Sequence, residues 1–172
     1  MKKTLLLTAI AAMPLLSNAQ KLEKPIIDKF SGDTTQFTNE NTLTNKFDLI
    51  VNYLSCRAMK VNNLYEIGFH ILKGSTGYYA IHKGDKCYIK FDNGDIITLF
   101  SSDDYSSNTR YSSYGSSYES TPWFVLKQDD IDKLKSGKVT TIRIVTTVAP
   151  FDYDIKDKNS EIIKKELSLF KI

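Results

Sequence analysis

The sequence predicts a mainly β fold: an antiparallel sheet or β-sandwich with two short peripheral helices, an α+β arrangement being the alternative. Three observations carry this. Apolar residues recur with a period of two through most of the chain past residue 20, the mark of strands with one buried face. Turn signals separate those runs, above all Asn93-Gly94 and Asn62-Asn63. Helical spacing is confined to two short segments late in the chain.

The chain opens with Lys2 and Lys3, an apolar run from Thr4 to Leu16, and the small residues Ser17-Asn18-Ala19. That is the three-part layout of a secretory signal peptide, so residues 1–19 read as a leader and residues 20–172 as one folded domain. The apolar run is shorter than the ~20 residues of a membrane span, and Pro14 lies near its end. No cysteine stands beside the cut to take a lipid, and no later segment is apolar enough to span. The expected location is therefore periplasmic or extracellular. The chain carries 23 Lys and Arg against 20 Asp and Glu, and the leader takes two lysines with it, leaving a net charge of +1. A near-neutral chain with interleaved signs gives no support for nucleic-acid binding.

Short strands are predicted at Ile26 to Phe30 and Thr34 to Thr38. A hairpin over Tyr53 to Leu72, turning at Asn62-Asn63, pairs Cys56 with Phe69, Ala58 with Ile67 and Leu54 with Ile71, all on the core side. A second hairpin over Lys86 to Phe100 turns at Asn93-Gly94. Asn-Gly is the favoured pair of a two-residue type I′ turn, because both positions need positive φ. That turn sets Cys87, Ile89, Phe91, Ile96, Thr98 and Phe100 on the core face. Lys86, Tyr88, Lys90, Asp95, Ile97 and Leu99 fall on the other. Further strands are predicted at Thr121 to Leu126, with Trp123 as a core anchor, and at Val139 to Thr147. Gln128 to Ser136 reads as a helix with acids in its first turn, lysines near its end and Gly137 as its stop. Lys158 to Phe170 reads as a second, capped by Asp157 or Asn159, with Ile162, Ile163, Leu167 and Phe170 on its apolar face.

No catalytic or metal motif follows the leader. Cys56 and Cys87 both fall on core faces, and export permits a disulfide between them, worth roughly 3–4 kcal/mol in the chain-entropy model. Two separate buried thiols are the other reading. His70 and His82 are the only histidines, and nothing around them has the spacing of a zinc site. Asp92 and Asp95 flank a hairpin; with Asp103 and Asp104 they lack the layout of a calcium loop. No nucleophile elbow and no phosphate-binding glycine loop is present, and no cofactor is implied.

Ser101 to Thr121 is dominated by serine, with Tyr105, Tyr111, Tyr114 and Tyr118 spaced through it and Arg110 among them. Tyrosine supplies wide amphipathic contact at low entropy cost, and serine adapts its hydrogen bonds, as in antibody loops. Read as a surface loop, this segment is the candidate recognition surface, for a protein or a glycan; a long connection without a partner is the plain alternative.

The leader ending Asn18-Ala19-Gln20, the stretch Lys83 to Asp95, and Asp129 to Lys135 leading into Val139 to Ile144 carry a family resemblance. Through them the chain resembles uncharacterised small exported proteins of the Bacteroidetes type. The resemblance brings a tight turn and a helix feeding a strand, and no activity. The expectation is a non-enzymatic binding or interaction module of the cell envelope, an inhibitor or immunity-like protein being a sub-case. The alternatives are a hydrolase of cell-surface polymer using acids near Asn93-Gly94, and a structural surface component.

Overall fold

The computed structural model describes residues 20–44, 52–74, 76–112 and 115–170; the leader reading lies outside them. The strands are β1 Ile26–Ile27, β2 Thr34–Phe37, β3 Asn41–Thr42, β4 Asn52–Val61, β5 Leu64–Gly74, β6 Ala80–Ile81, β7 Lys86–Phe91, β8 Ile96–Ser101, β9 Tyr105–Ser106, β10 Asn108–Ser112, β11 Gly115–Ser120 and β12 Trp123–Leu126. Helix α1 (Gln128–Ser136) follows, then β13 (Val139–Ile144), β14 (Phe151–Asp154), a 3-10 turn at Asp157–Asn159 and helix α2 (Ile162–Leu167). The fold is mainly β, with a large antiparallel sheet and two short helices.

Twelve strands share one sheet, whose main path is β1-β2-β4-β5-β12-β8-β7-β13-β14. β3 pairs with β4, β11 with β5, and β10 with β11, while β6 and β9 form a separate pair. The β4–β5 hairpin is its spine, and its register is the one the sequence predicts: Leu54 opposite Ile71, Cys56 opposite Phe69, Ala58 opposite Ile67. Asn62 takes the left-handed φ of 53° that makes the tight turn possible.

The β7–β8 hairpin departs from the prediction by one residue. Lys90 faces Ile96, Ile89 faces Ile97 and Cys87 faces Leu99. Asn93 keeps a negative φ and only Gly94, at φ 91°, is left-handed, so the type I′ turn does not form. The Gly94 N–H donates to the Phe91 carbonyl (3.1 Å) and the Phe91 N–H to the Asp95 carbonyl (2.9 Å). This is a three-residue loop, a type I turn closed by a glycine bulge. Moving the register by one turns β8 over: Ile97 and Leu99 are buried, while Ile96 and Phe100 face solvent.

Leu54, Ile67, Phe69, Ile71, Ile89, Leu99, Phe124, Ile142 and Ile144 fill the inner face, each 0–1 % exposed. α1 covers it with Ile131 and Leu134, α2 with Ile163 and Leu167, and the chain beyond α2 with Phe170, whose ring meets Tyr65 edge-on at 5.9 Å. A fully buried side chain of this size contributes about 1.5–3 kcal/mol. Neither Asp157 nor Asn159 caps α2: its N-cap is Glu161, without a side-chain bond, and the Asn159 amide donates instead to the Leu43 carbonyl (2.8 Å). Cys56 and Cys87 are free and buried. Both face the core, but β5, β12 and β8 stand between their strands, so the registers do not bring them together as a disulfide.

Trp123 does not anchor this core; its neighbour Phe124 does. Trp123 lies half-buried on the outer face, over Gly68 and beside Phe37 (ring centroids 5.9 Å). A Cβ on Gly68 would come within 2.9 Å of the indole, so only glycine admits it.

Candidate functional site

A concave site lies on the outer face of β7, β8, β13 and β14. Tyr88 stands opposite Thr98 on one side and Arg143 on the other; Lys90 stands between Ile96 and Thr141; Arg143 faces Asp152. Tyr88, Lys90, Ile96, Thr141, Arg143 and Asp152 enclose a half-open groove of about 470 Å³. That volume lies within the ~300–1,000 Å³ of small-molecule sites.

Local sequence sets these side chains outward. β13 contains a bulge between Val139 and Thr141, an extra residue that changes which face the strand presents. Val139 and Ile142 are thereby both buried, and Thr141 and Arg143 turn to the groove. The Thr140 hydroxyl donates to the Lys90 carbonyl (3.1 Å) at this irregularity. Arg143 binds Asp152 in a two-point fork, Nε to Oδ1 at 2.6 Å and the second nitrogen to Oδ2 at 2.8 Å. The fork holds the Asp152 carboxyl below its ordinary range and the Arg143 guanidinium above its own. It also fixes two planar polar groups as one rigid wall, with the unused lone pairs and N–H groups free for a ligand.

A second polar cluster lies further along the outer face, on β5. His70 Nδ1 is 3.0 Å from Glu40 Oε1, and its Nε2 is 3.8 Å from Glu119 Oε2. Arg110 reaches the same Glu119 oxygen at 3.6 Å, and the Ser55 hydroxyl donates to Glu40. The bond to Glu40 raises the His70 pKa, against the effect of burial, and the same bond lowers Glu40. Ser55 is buried opposite His70 and donates to the same Glu40 oxygen that His70 Nδ1 contacts. The cluster ties the segment around β3 and the β10–β11 hairpin to the spine.

The four described residues of the predicted recognition surface, Tyr105, Arg110, Tyr111 and Tyr118, do not lie on one face. The described residues between 101 and 121 are largely strand: β9 pairs with β6, β10 with β11, and β11 with β5, with Ser117 opposite Gly74 and Ser120 opposite Ile71. Serine and tyrosine serve as strand residues here because pairing to β5 satisfies their backbone. Within β10–β11, Arg110 and Glu119 lie on one face, Tyr111 and Tyr118 on the other. Tyr111 is 83 % exposed, Tyr118 packs against the core, and Tyr105 is half-buried with its hydroxyl 3.2 Å from Ser102 Oγ. Tyr114 lies outside the described residues.

The acids proposed for a hydrolase serve turns. Asp92 accepts the Asn93 N–H (3.1 Å), Asp95 accepts the Asn93 amide (2.9 Å), and Asp104 accepts the Lys83 N–H (2.8 Å). Both cysteine thiols are buried, and burial pushes both well above the ordinary cysteine range. No group of three or more His, Cys, Asp or Glu suited to a metal occurs among the described residues. None of their helices is long and apolar enough to cross a membrane.

Glu166 is a buried titratable group that the sequence reading did not single out. It is fully buried on α2, accepting from Asn41 Nδ2 (2.9 Å) and Cys56 Sγ (3.5 Å), while its Oε2 has no partner. Burial pushes its carboxyl up to about 8. The available signal was its place beside Ile163, Leu167 and Phe170 on the apolar stripe. Of the groove residues, the sequence pattern places Tyr88 and Lys90 outward on β7 and Ile96 on the core face, and it does not single out Thr141, Arg143 or Asp152. The chain matches no family model, and comparison with curated proteins and with solved structures finds no significant match to it.

Proposed function

We propose that the chain is an exported, non-enzymatic binding or interaction module of the cell envelope, with its site in the groove of Tyr88, Lys90, Ile96, Thr141, Arg143 and Asp152. The observation that carries this reading is the groove itself: a concave, largely apolar face with one aromatic ring, edged by Lys90, Thr141 and the Arg143–Asp152 fork. Binding fits it better than turnover, because the thiols and Ser55 are buried and the acids near Asn93 are engaged in turns. The export half of the reading rests on the leader residues Lys2 to Ala19.

Cosedimentation of the purified mature chain with isolated envelope material tests the reading. The wild type is expected in the pellet, and Tyr88→Ala and Arg143→Ala are expected to shift it to the supernatant. Equal sedimentation of all three proteins refutes the groove as the site. An N-terminus beginning at Met1 in protein recovered from cells refutes the leader.

A further inference from the structure

We infer that the groove, together with the outer face of β7 running beyond its lining to Lys86, takes an acidic oligosaccharide, a sugar chain bearing carboxylate or sulfate groups, along the row Lys86–Tyr88–Lys90. This rests on the groove being a ligand site. The three side chains alternate along β7 and stand on its outer face, so neighbours are about 6.8 Å apart and the two lysines about 13 Å apart. The order is cation, ring, cation.

Charge selects the ligand. The Arg143 charge is matched by Asp152 in the two-point fork. Lys86 and Lys90 are exposed and make no ion pair among the described residues. Asp154 is the other carboxylate of this face: it stands opposite Thr141, with the Thr141 hydroxyl 3.5 Å away, and no cation among the described residues is paired with it. Two lysines against that one unpaired carboxylate leave the face around Tyr88 positive, with its cations spaced for two acidic groups on one chain. The remaining surface suits sugar. Phe100 stands opposite Lys86 and Ile96 opposite Lys90, 43 % and 57 % exposed, giving each lysine an apolar neighbour for the C–H face of a ring. Asp152, Arg143 and Thr141 hold fixed donors and acceptors for hydroxyl groups on the other side. An extended peptide would gain most from a strand edge, where its backbone can pair, and Lys86–Tyr88–Lys90 lies inside the sheet between β8 and β13.

Calorimetric titration of the mature chain with tetragalacturonate and with the neutral maltotetraose tests this, at low and high salt. Tetragalacturonate is expected to bind, more weakly as salt rises, and to exceed maltotetraose. Lys86→Gln and Lys90→Gln are each expected to weaken it about two- to fivefold, the range of one exposed ion pair. Tyr88→Ala is expected to weaken it about fivefold through lost ring contact. Maltotetraose binding equally well, with both lysine variants unchanged, overturns the acid requirement while leaving the groove a binding site. Binding of polyglutamate or of anionic vesicles, but of neither sugar, overturns the glycan assignment. Absence of binding to every probe overturns the inference, and the cosedimentation experiment decides the module reading separately.

Discussion

Replacing Glu166 with glutamine should change how stability depends on pH more than it changes stability at any one pH. The wild-type carboxyl lies at about 8 in the fold against an ordinary 4.5. Between those values the folded chain holds a proton that the unfolded chain has released. The stabilisation is complete below about 4.5, falls as pH rises, and is gone above about 8. A gap of about 3.5 pH units, at about 1.4 kcal/mol each, amounts to about 5 kcal/mol. That is a large share of the roughly 5–15 kcal/mol of a typical domain. Glutamine keeps the acceptor for Asn41 and cannot ionise, but places an amide where Oε2 has no partner, costing about 1–3 kcal/mol. The variant should therefore be the less stable protein near pH 5 and the more stable one, by about 3 kcal/mol, near pH 8.5. Urea unfolding followed through Trp123, the single tryptophan, measures both proteins across that range. Titration of His70 is common to the two and drops out of the difference. A difference between them that stays constant from pH 5 to 8.5 would refute the assignment of a protonated, buried Glu166.

Three other outcomes are expected. Gly68→Ala should cost about 1–3 kcal/mol by overpacking and shift Trp123 emission, because the new methyl falls 2.9 Å from the indole; an unchanged spectrum and midpoint would contradict that packing. Both cysteines should resist alkylation in the native protein and react fully in denaturant, with no mass change on reduction; a thiol assay distinguishes this from a disulfide. His70 should titrate above 6.5 by NMR and fall back in Glu40→Gln, so the His70–Glu40 contribution to stability is full below 6.5 and fades as pH rises through the folded value; no difference between the two proteins would remove Glu40 as the cause.

The two hairpins show what was legible and where reading stopped. Asn62-Asn63 allowed a two-residue turn, and the flanking apolar pattern left one register that buries Leu54, Cys56, Ala58, Ile67, Phe69 and Ile71 together. At Asn93-Gly94 the same kind of signal permits two turns that differ by one residue. The pattern in β8 does not discriminate between them, because Ile96 and Phe100 on one side match Ile97 and Leu99 on the other. Only the φ of Asn93 decides, and that depends on the whole sheet. The strands between residues 105 and 120 were illegible for a different reason. They are polar on both faces, and what makes them strands is the distant β5, which no local window contains. The groove needs side chains from four strands, so a local reading places Tyr88 and Lys90 outward but, with the β8 register one residue off, sends Ile96 to the core and cannot join β13 and β14 to them.

β11 and β12 follow a single line along β5: Ser120 faces Ile71 and Trp123 faces Gly68, with only Thr121 and Pro122 between. Beyond that line the sheet divides. β10 lies outside the first half, and β8, β7, β13 and β14 lie outside the second. The division separates evolutionary freedoms. The β10–β11 hairpin can change its exposed serines and Tyr111 without moving any strand that lines the groove, while Tyr118 is held by the core. A change in β8 or β13, by contrast, is passed to the groove at once. Divergence among descendants of this fold should therefore concentrate in the serine- and tyrosine-rich hairpin, with the Lys86–Tyr88–Lys90 wing evolving under a separate constraint.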